Sequence, residues 1–159
     1  MKTKLFLMIA LVATTTLFVA CDKKEAKEEK STKSKTVKNT AAAAKDVEEA
    51  KKIIEEEIAK AAEMMVGKQI DFMTTCTGIT FDGKDVTYTY EVDEAQLEGF
   101  GFTNISQLDW EEAKKVQLKT WEENEIVQTL FNKIKLLGGT INHVYVGSIS
   151  HDTAGYSLW

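Results

Sequence analysis

The chain has 159 residues with 20 basic and 25 acidic side chains, which gives a net charge of −5. All basic residues are Lys, since neither Arg nor Pro occurs, and residues 66–159 hold seven Lys against fourteen acidic residues. Because Arg supplies the bidentate contacts that read guanine and phosphate, and because the net charge repels phosphate, the composition argues against nucleic acid as a partner.

An uncharged apolar segment covers residues 5–20 and follows Lys2 and Lys4. A positively charged start before an apolar stretch of this length is typical of an export signal. The stretch is shorter than the roughly 20 residues that a membrane-spanning helix needs. The sequence therefore predicts a signal peptide over residues 1–20.

The predicted signal ends in Leu17-Phe18-Val19-Ala20-Cys21. This ending resembles the lipobox of bacterial lipoproteins, in which a cysteine receives a diacylglycerol thioether before the chain is cleaved on its amino side. The resemblance implies that Cys21 is lipidated, with Ala20 and Val19 before it, although Phe18 stands where Leu is usual. The alternative is an ordinary secretory signal followed by an unrelated cysteine.

Lipidation of Cys21 would hold the protein on a bacterial membrane, facing the periplasm or the cell exterior. Each buried acyl methylene contributes about 0.8 kcal/mol, so two or three chains give a durable anchor. In lipoproteins of enteric bacteria an aspartate such as Asp22 favours the inner membrane, but the rule varies between lineages. Both the inner and the outer membrane therefore stay open.

A Lys-rich tether is predicted for residues 21–40, because they carry too little apolar surface to fold. As a flexible chain, residues 22–40 would span about 24 Å. The simplest role is a solvated spacer. The alternative is that its Lys side chains lie along an anionic lipid surface, where each contributes about 1 kcal/mol.

A long helix is predicted over residues 41–66, ending at Gly67. The apolar residues recur at the helical period of 3.6, and they are Val47, Ala50, Ile54, Ile58, Ala61 and Met65. At 1.5 Å per residue this helix would be about 39 Å long. We interpret the apolar stripe as core packing, and the alternative is a partner-binding face.

A β-hairpin is predicted next, since residues 86–92 alternate between apolar and polar side chains. Residues 73–81 precede it, and Asp82-Gly83 favours a two-residue type I′ turn. That turn pairs Ile79 with Val86 and Cys76 with Thr89. The register places Cys76 on the polar face, where we expect a free, partly exposed thiol. The alternatives are that another element, such as the helix of residues 41–66, covers Cys76, or that it pairs with another molecule.

The second half of the chain predicts a loop at residues 99–102 and then one or two helices. Ser106, with Asp109 three residues later, resembles a capping box at the first helix start. The first helical stripe contains Trp110, Ala113, Gln117 and Trp121, and residues 122–124 indicate a break. A second stripe runs from residue 126 to Leu137 and stops at Gly138-Gly139.

Two further strands are predicted over residues 140–149 and 155–159, with a loop at 150–154. The complete order predicts an α+β fold, in which a long N-terminal helix precedes two antiparallel hairpins flanking one or two helices. Helices covering one face of the strands would give a two-layer sandwich. Residues 67–159 form the small α+β domain in this interpretation.

Residues with catalytic or metal-binding chemistry are scarce, and we predict no catalytic residue, cofactor or metal site. His143 and His151 cannot form a three-ligand zinc site alone, and His143 is expected to be a satisfied, partly buried ring. The Ser150-His151-Asp152 run contains the residue types of a nucleophile triad, but adjacent residues cannot adopt its geometry. We assign this run to turn formation.

The alternating strand at residues 86–92 and the later run from Leu136 to Tyr145 also resemble small bacterial lipoproteins of uncharacterised function. More loosely, residues 68–159 resemble the pilotin lipoproteins, which escort secretion-channel subunits to the outer membrane. Relatives of this kind often carry a cysteine in the helical region. This chain has none there, so the resemblance implies no disulfide for Cys76.

The function predicted from these features is a lipid-anchored, non-catalytic binding or assembly module with an envelope protein as its partner. The alternative is a small envelope enzyme or enzyme inhibitor with a site near His143 or His151. A purely structural spacer is a third possibility, but a packed domain with three Trp exceeds what a spacer needs.

Overall fold

The computed structural model describes residues 39–159, so the predicted signal peptide, Cys21 and most of the predicted tether lie outside the described residues. Five helices are described: α1 (Asn39–Met65), α2 (Glu94–Glu98), a 3₁₀ turn (Ile105–Gln107), α3 (Trp110–Glu122) and α4 (Glu125–Leu136). Four strands are described: β1 (Thr74–Phe81), β2 (Val86–Val92), β3 (Ile141–Gly147) and β4 (Thr153–Ser157). None of the helices in residues 39–159 combines the length and the apolar character that crossing a membrane requires.

The four strands form one mixed sheet in the order β1-β2-β3-β4. The outer pairs are antiparallel, whereas β2 and β3 run parallel and pair from Val86 with Ile141 to Val92 with Gly147. The predicted α+β class, with two antiparallel hairpins flanking one or two helices, is confirmed. The two predicted helices are α3 and α4, whereas the short α2 and the 3₁₀ turn before them were not predicted. The parallel pairing that joins the hairpins into one sheet has no local sequence signal, because it depends on how the helices return the chain.

Within residues 39–159, helices cover only one face of the sheet. Its buried residues on the two central strands are Val86, Tyr88, Tyr90, Val92, Ile141, His143 and Tyr145. On the opposite face Thr87, Thr89, Asn142 and Val144 are only half-buried. This difference confirms the predicted two-layer sandwich.

Helix α1 packs its apolar stripe into the core, as predicted. Ala50, Ile54, Ile58, Ala61 and Met65 are all buried. The helix is 27 residues long, and residues 44–46 near its start are exposed.

The predicted register of the first hairpin is wrong. Phe81 pairs with Val86 and Ile79 with Tyr88, so the loop holds four residues instead of two. The reason is the side chain of Asp82, whose Oδ1 accepts hydrogen bonds from the amides of Lys84 (2.9 Å) and Asp85 (2.7 Å). This Asx-type turn satisfies the loop backbone locally, together with a hydrogen bond from the Asp82 amide to the Asp85 carbonyl (3.2 Å).

Cys76 is fully buried, so its predicted place on the exposed polar face is also wrong. A β-bulge between Cys76 and Gly78 adds one residue, Thr77, to the β1 side of the pairing. Because side chains alternate along a strand, one extra residue moves Cys76 to the helical face, opposite Tyr90. Burial raises the pKa of the Cys76 thiol, which keeps it protonated.

We expect a bulky maleimide to leave Cys76 unlabelled in the native protein, because the thiol is buried and protonated. In denaturant the same reagent should label Cys76 to one equivalent. Peptide mass spectrometry measures both reactions and places the label on Cys76. Rapid labelling of the native protein would show that the bulge, and with it the buried position, is incorrect.

Two element boundaries differ from the prediction. Asp109, not Ser106, caps α3, since its Oδ1 accepts a hydrogen bond from the Glu112 amide at 3.0 Å. Ser106 instead lies in the 3₁₀ turn, which Asn104 caps. Strand β3 ends at Gly147, and the turn to β4 covers residues 148–152 instead of 150–154, because amides in this turn bind a carboxylate rather than a neighbouring strand.

Candidate functional site

His143 stands at the centre of an aromatic cluster between the sheet and the helices. Strand pairing places it between Tyr88 on β2 and Tyr156 on β4. Its ring stacks on those of Tyr88 and Tyr156 at centroid distances of 5.2 and 5.1 Å, and Tyr90 lies 5.9 Å away. The side chain is 2% exposed, so the expected partly buried ring is in fact fully buried.

Helix α3 covers this cluster with residues from the stripe predicted for it. Trp121 contacts the His143 ring edge-on at 5.7 Å, and Trp110 packs on Tyr145 at 4.5 Å. Gln117 lies one turn before Trp121, and its Oε1 accepts a hydrogen bond from the Tyr156 hydroxyl. The polar Gln117 inside an apolar stripe was the sequence signal for a buried polar contact.

The cluster contains polar atoms with few partners. The Tyr90 hydroxyl lies 3.4 Å from Nδ1 of His143, at the long limit of a hydrogen bond. Nε2 of His143, Nε2 of Gln117 and Nε1 of Trp121 are buried and have no hydrogen-bond partner within residues 39–159. The expectation of a satisfied His143 ring is therefore wrong for one of its two nitrogens.

Burial controls the protonation of this cluster. Desolvation lowers the pKa of His143 to about 3, so the ring is neutral at pH 7. Burial also raises the pKa of Tyr88 and Tyr90, and it raises that of Tyr156 to about 12. The cluster therefore carries no charge near neutral pH and offers no group ready for proton transfer.

Glu94 forms a second cluster of polar contacts at the end of the sheet where β2 and β3 finish. One carboxylate oxygen accepts from the Ile105 amide (3.2 Å) and the Ser150 hydroxyl (2.9 Å). The other accepts from the amides of Ile149 (2.9 Å) and Ser150 (2.7 Å). A Cβ at Gly147 would come within 2.5 Å of this carboxyl group, so the contact requires glycine there.

The Glu94 carboxylate is stabilised in its charged form. Burial acts to raise its pKa, but the hydrogen bonds from Ser150, Ile149 and Ile105 outweigh burial, and the pKa lies below its ordinary value. Glu94 is 1% exposed, so its charge depends on these hydrogen bonds and not on water. Glu94 therefore acts as a clasp that fastens the 3₁₀ turn and the β3–β4 turn to the end of β2.

The Ser150-His151-Asp152 run, which has the residue types of a nucleophile triad, lies in the β3–β4 turn and stabilises it. The Ser150 hydroxyl donates to Glu94 and accepts from the Asp152 amide at 3.0 Å. Ser148 Oγ accepts from the Glu94 amide at 3.1 Å. His151 is exposed and has a positive φ of 56°, which fits a turn position. The structure does not bring His143 and His151 together in one site.

No group of three or more His, Cys, Asp or Glu side chains in the described part of the chain is arranged to hold a metal ion. Sequence reasoning missed the Glu94 clasp, because its four donors come from residues 11 to 56 positions away.

Comparison with known proteins gives no family for this chain. No protein-family description matches it, and no curated protein matches it. Among solved structures, a "putative secreted protein" from Pseudomonas aeruginosa is 14% identical with a TM-score of 0.46. The similarity covers 70% of this chain and 90% of that one. A similarity at this level identifies neither a family nor a function.

Proposed function

We propose that the protein is a lipid-anchored lipoprotein of the bacterial envelope, whose α+β domain is a non-catalytic module that binds or assembles an envelope protein. The observation that carries the proposal is the Leu17-Phe18-Val19-Ala20-Cys21 ending of an uncharged, signal-like segment. Lipid on Cys21 would supply the anchor. The Lys-rich tether would then hold the domain away from the membrane surface.

The chemistry of the described domain supports a binding role over catalysis. His143 is buried and neutral, and the Glu94 carboxylate and the Ser150 hydroxyl are engaged in structural hydrogen bonds. The competing proposal, an enzyme or inhibitor site near His143 or His151, would therefore depend on the exposed His151 alone. A single exposed histidine without an oriented partner is a weak basis for catalysis.

The lipid anchor is tested by Cys21→Ser in a bacterial host. We expect the variant to leave the membrane fraction or to accumulate as an uncleaved precursor, because the thioether cannot form. Fractionation measures the location, and the intact mass shows whether diacylglycerol is attached. Cys76→Ala is the matched control: it removes the other cysteine, from the core, and should keep the wild-type location and lipid mass.

Two results would contradict this assignment. A Cys21→Ser protein that is processed and sediments with membranes like the wild type would require another anchor. A wild-type protein that is cleaved before Cys21 but carries no lipid mass would show an ordinary secretory signal instead.

A further inference from the structure

The two edges of the sheet differ in how much of each is covered by other segments of residues 39–159. The β1 edge is covered by the chain segment of residues 67–70. The Gly67 amide donates to the Cys76 carbonyl (2.8 Å), and the Cys76 amide donates to the Lys68 carbonyl (3.0 Å). The Ile70 amide donates to the Thr74 carbonyl (2.7 Å). The first half of β1 therefore has its outward backbone groups satisfied.

The β4 edge is open along its length. Leu158 donates to the Ile141 carbonyl and Gly147 to the Asp152 carbonyl, both at 2.9 Å, which fixes which β4 residues face β3. Because bonded pairs alternate in an antiparallel ladder, the amides and carbonyls of the intervening residues point outward. These residues are Thr153, Gly155 and Ser157, all exposed, and their backbone groups have no partner within residues 39–159.

Strand β4 lacks the charges, prolines and bulges that usually protect an edge. It contains no Lys, no Pro and no bulge, and its outward residues Thr153, Gly155 and Ser157 are small and uncharged. At Gly155, φ is +157°, and a Cβ there would come within 2.0 Å of the His143 carbonyl oxygen. The centre of the edge is therefore restricted to glycine and free of side-chain obstruction.

We propose that the β4 edge binds an extended segment of a partner protein, which adds a fifth strand to the sheet. This inference rests on the proposed binding role and gives it a surface. A row of outward amides and carbonyls at β-strand spacing is complementary only to another extended backbone. The sheet would grow from β4, whose outward backbone groups lack a partner along the whole strand within residues 39–159.

Charge indicates the chemistry of the partner segment. Residues 66–159 carry a net charge of −7, and Asp152, directly before β4, is exposed. A segment with basic residues flanking its paired portion is therefore attracted, whereas an acidic segment is repelled. Thr and Val at the paired positions suit the extended backbone and the small residues of β4.

A second copy of this chain fits the edge less well. Self-pairing about Gly155 would place Thr153 opposite Ser157, which is sterically simple. However, it would bring together two domains that each carry a charge of −7 over residues 66–159. A five-residue edge is also short for a stable dimer, which usually buries at least about 1,200 Å².

The test uses the full mature chain in detergent micelles and a fluorescein-labelled, capped peptide, Lys-Thr-Val-Thr-Val-Thr-Lys. Ser157→Pro removes an outward amide and leaves the β3 ladder intact, because the Ser157 amide faces away from β3. Ser157→Ala keeps the amide and is the matched control. We expect the wild type and Ser157→Ala to bind equally by fluorescence anisotropy, and Ser157→Pro to bind about tenfold more weakly. A peptide with Asp in place of both Lys should also bind more weakly.

Hydrogen exchange on the wild type provides a second measurement that is independent of variant folding. Peptide addition should slow exchange of the Thr153, Gly155 and Ser157 amides, and thermal unfolding checks that Ser157→Pro is folded. The proposal is overturned if the wild type binds no peptide, if Ser157→Pro binds as well as Ser157→Ala, or if these three amides stay unprotected. A dimer seen by light scattering and lost in Ser157→Pro would assign the edge to self-pairing instead. None of these results depends on Cys21, so they are separable from the test of the lipid anchor.

Discussion

Replacing Glu94 with Gln is expected to lower the free energy of unfolding by about 3 kcal/mol. The carboxylate accepts four hydrogen bonds in a buried position, from Ile105, Ile149 and two groups of Ser150. Gln keeps the size of the side chain, but its NH₂ group would face amide donors that then lose their acceptor. Charged acceptors also form stronger hydrogen bonds than neutral ones.

Denaturant unfolding of the purified protein measures this loss. Glu98→Gln is the matched control, because Glu98 belongs to the same short helix and is exposed. It should change the stability by less than about 0.5 kcal/mol. The lowered pKa of Glu94 also predicts a pH dependence. The Glu94 carboxylate contributes to the free energy of unfolding above its ordinary pKa of 4.5, and this contribution disappears as the pH falls through the pKa of the folded state. Equal stability of the two variants would show that the clasp contributes nothing.

Acid is expected to destabilise the protein through His143. The pKa of His143 is about 3 in the folded state, below the ordinary value of 6.5. Between about pH 3 and pH 6.5 the unfolded state therefore binds a proton that the folded state does not bind. The free energy of unfolding should therefore fall by about 1.4 kcal/mol for each pH unit across that window as the pH is lowered. The tyrosines around the ring stay uncharged there, so none of them offsets the loss.

His143→Phe should make this dependence shallower, since Phe keeps the ring stacking but cannot bind a proton. Unfolding curves between pH 7 and pH 5 lie above the range in which Glu94 titrates, so they separate the two effects. His151→Gln is the control, because it removes the other, exposed histidine and should keep the wild-type slope. If His143→Phe kept the wild-type dependence of stability on pH, His143 would not be the source of that dependence.

The local patterns of the sequence predicted the elements and the buried faces well. Alternation from Val86 to Val92 and the 3.6-residue stripe of α1 each follow from burying one side of a regular element, and both were correct. Gln117 could be placed on a buried face because it lies one turn from Trp121. Such features depend on residues that are close together in the chain.

The errors arise from a turn side chain, a one-residue bulge and long-range contacts. One side-chain oxygen of Asp82 widened the first hairpin loop, and one extra residue at Thr77 reversed the face of Cys76. The Glu94 clasp and the parallel pairing of β2 with β3 join segments about 55 residues apart. No periodicity encodes these contacts, because they arise only when the helices have folded over the sheet.

The parallel pairing of β2 with β3, the central junction of the sheet, also bears on the order in which the molecule folds. Each antiparallel hairpin closes a loop of a few residues, whereas pairing Val86 with Ile141 closes a loop of 55 positions. Closing the longer loop costs more chain entropy, and non-local pairing is slow. We therefore expect the hairpins and helices to form early, and the central junction, with the Glu94 contacts to Ile149 and Ser150, to complete the domain last.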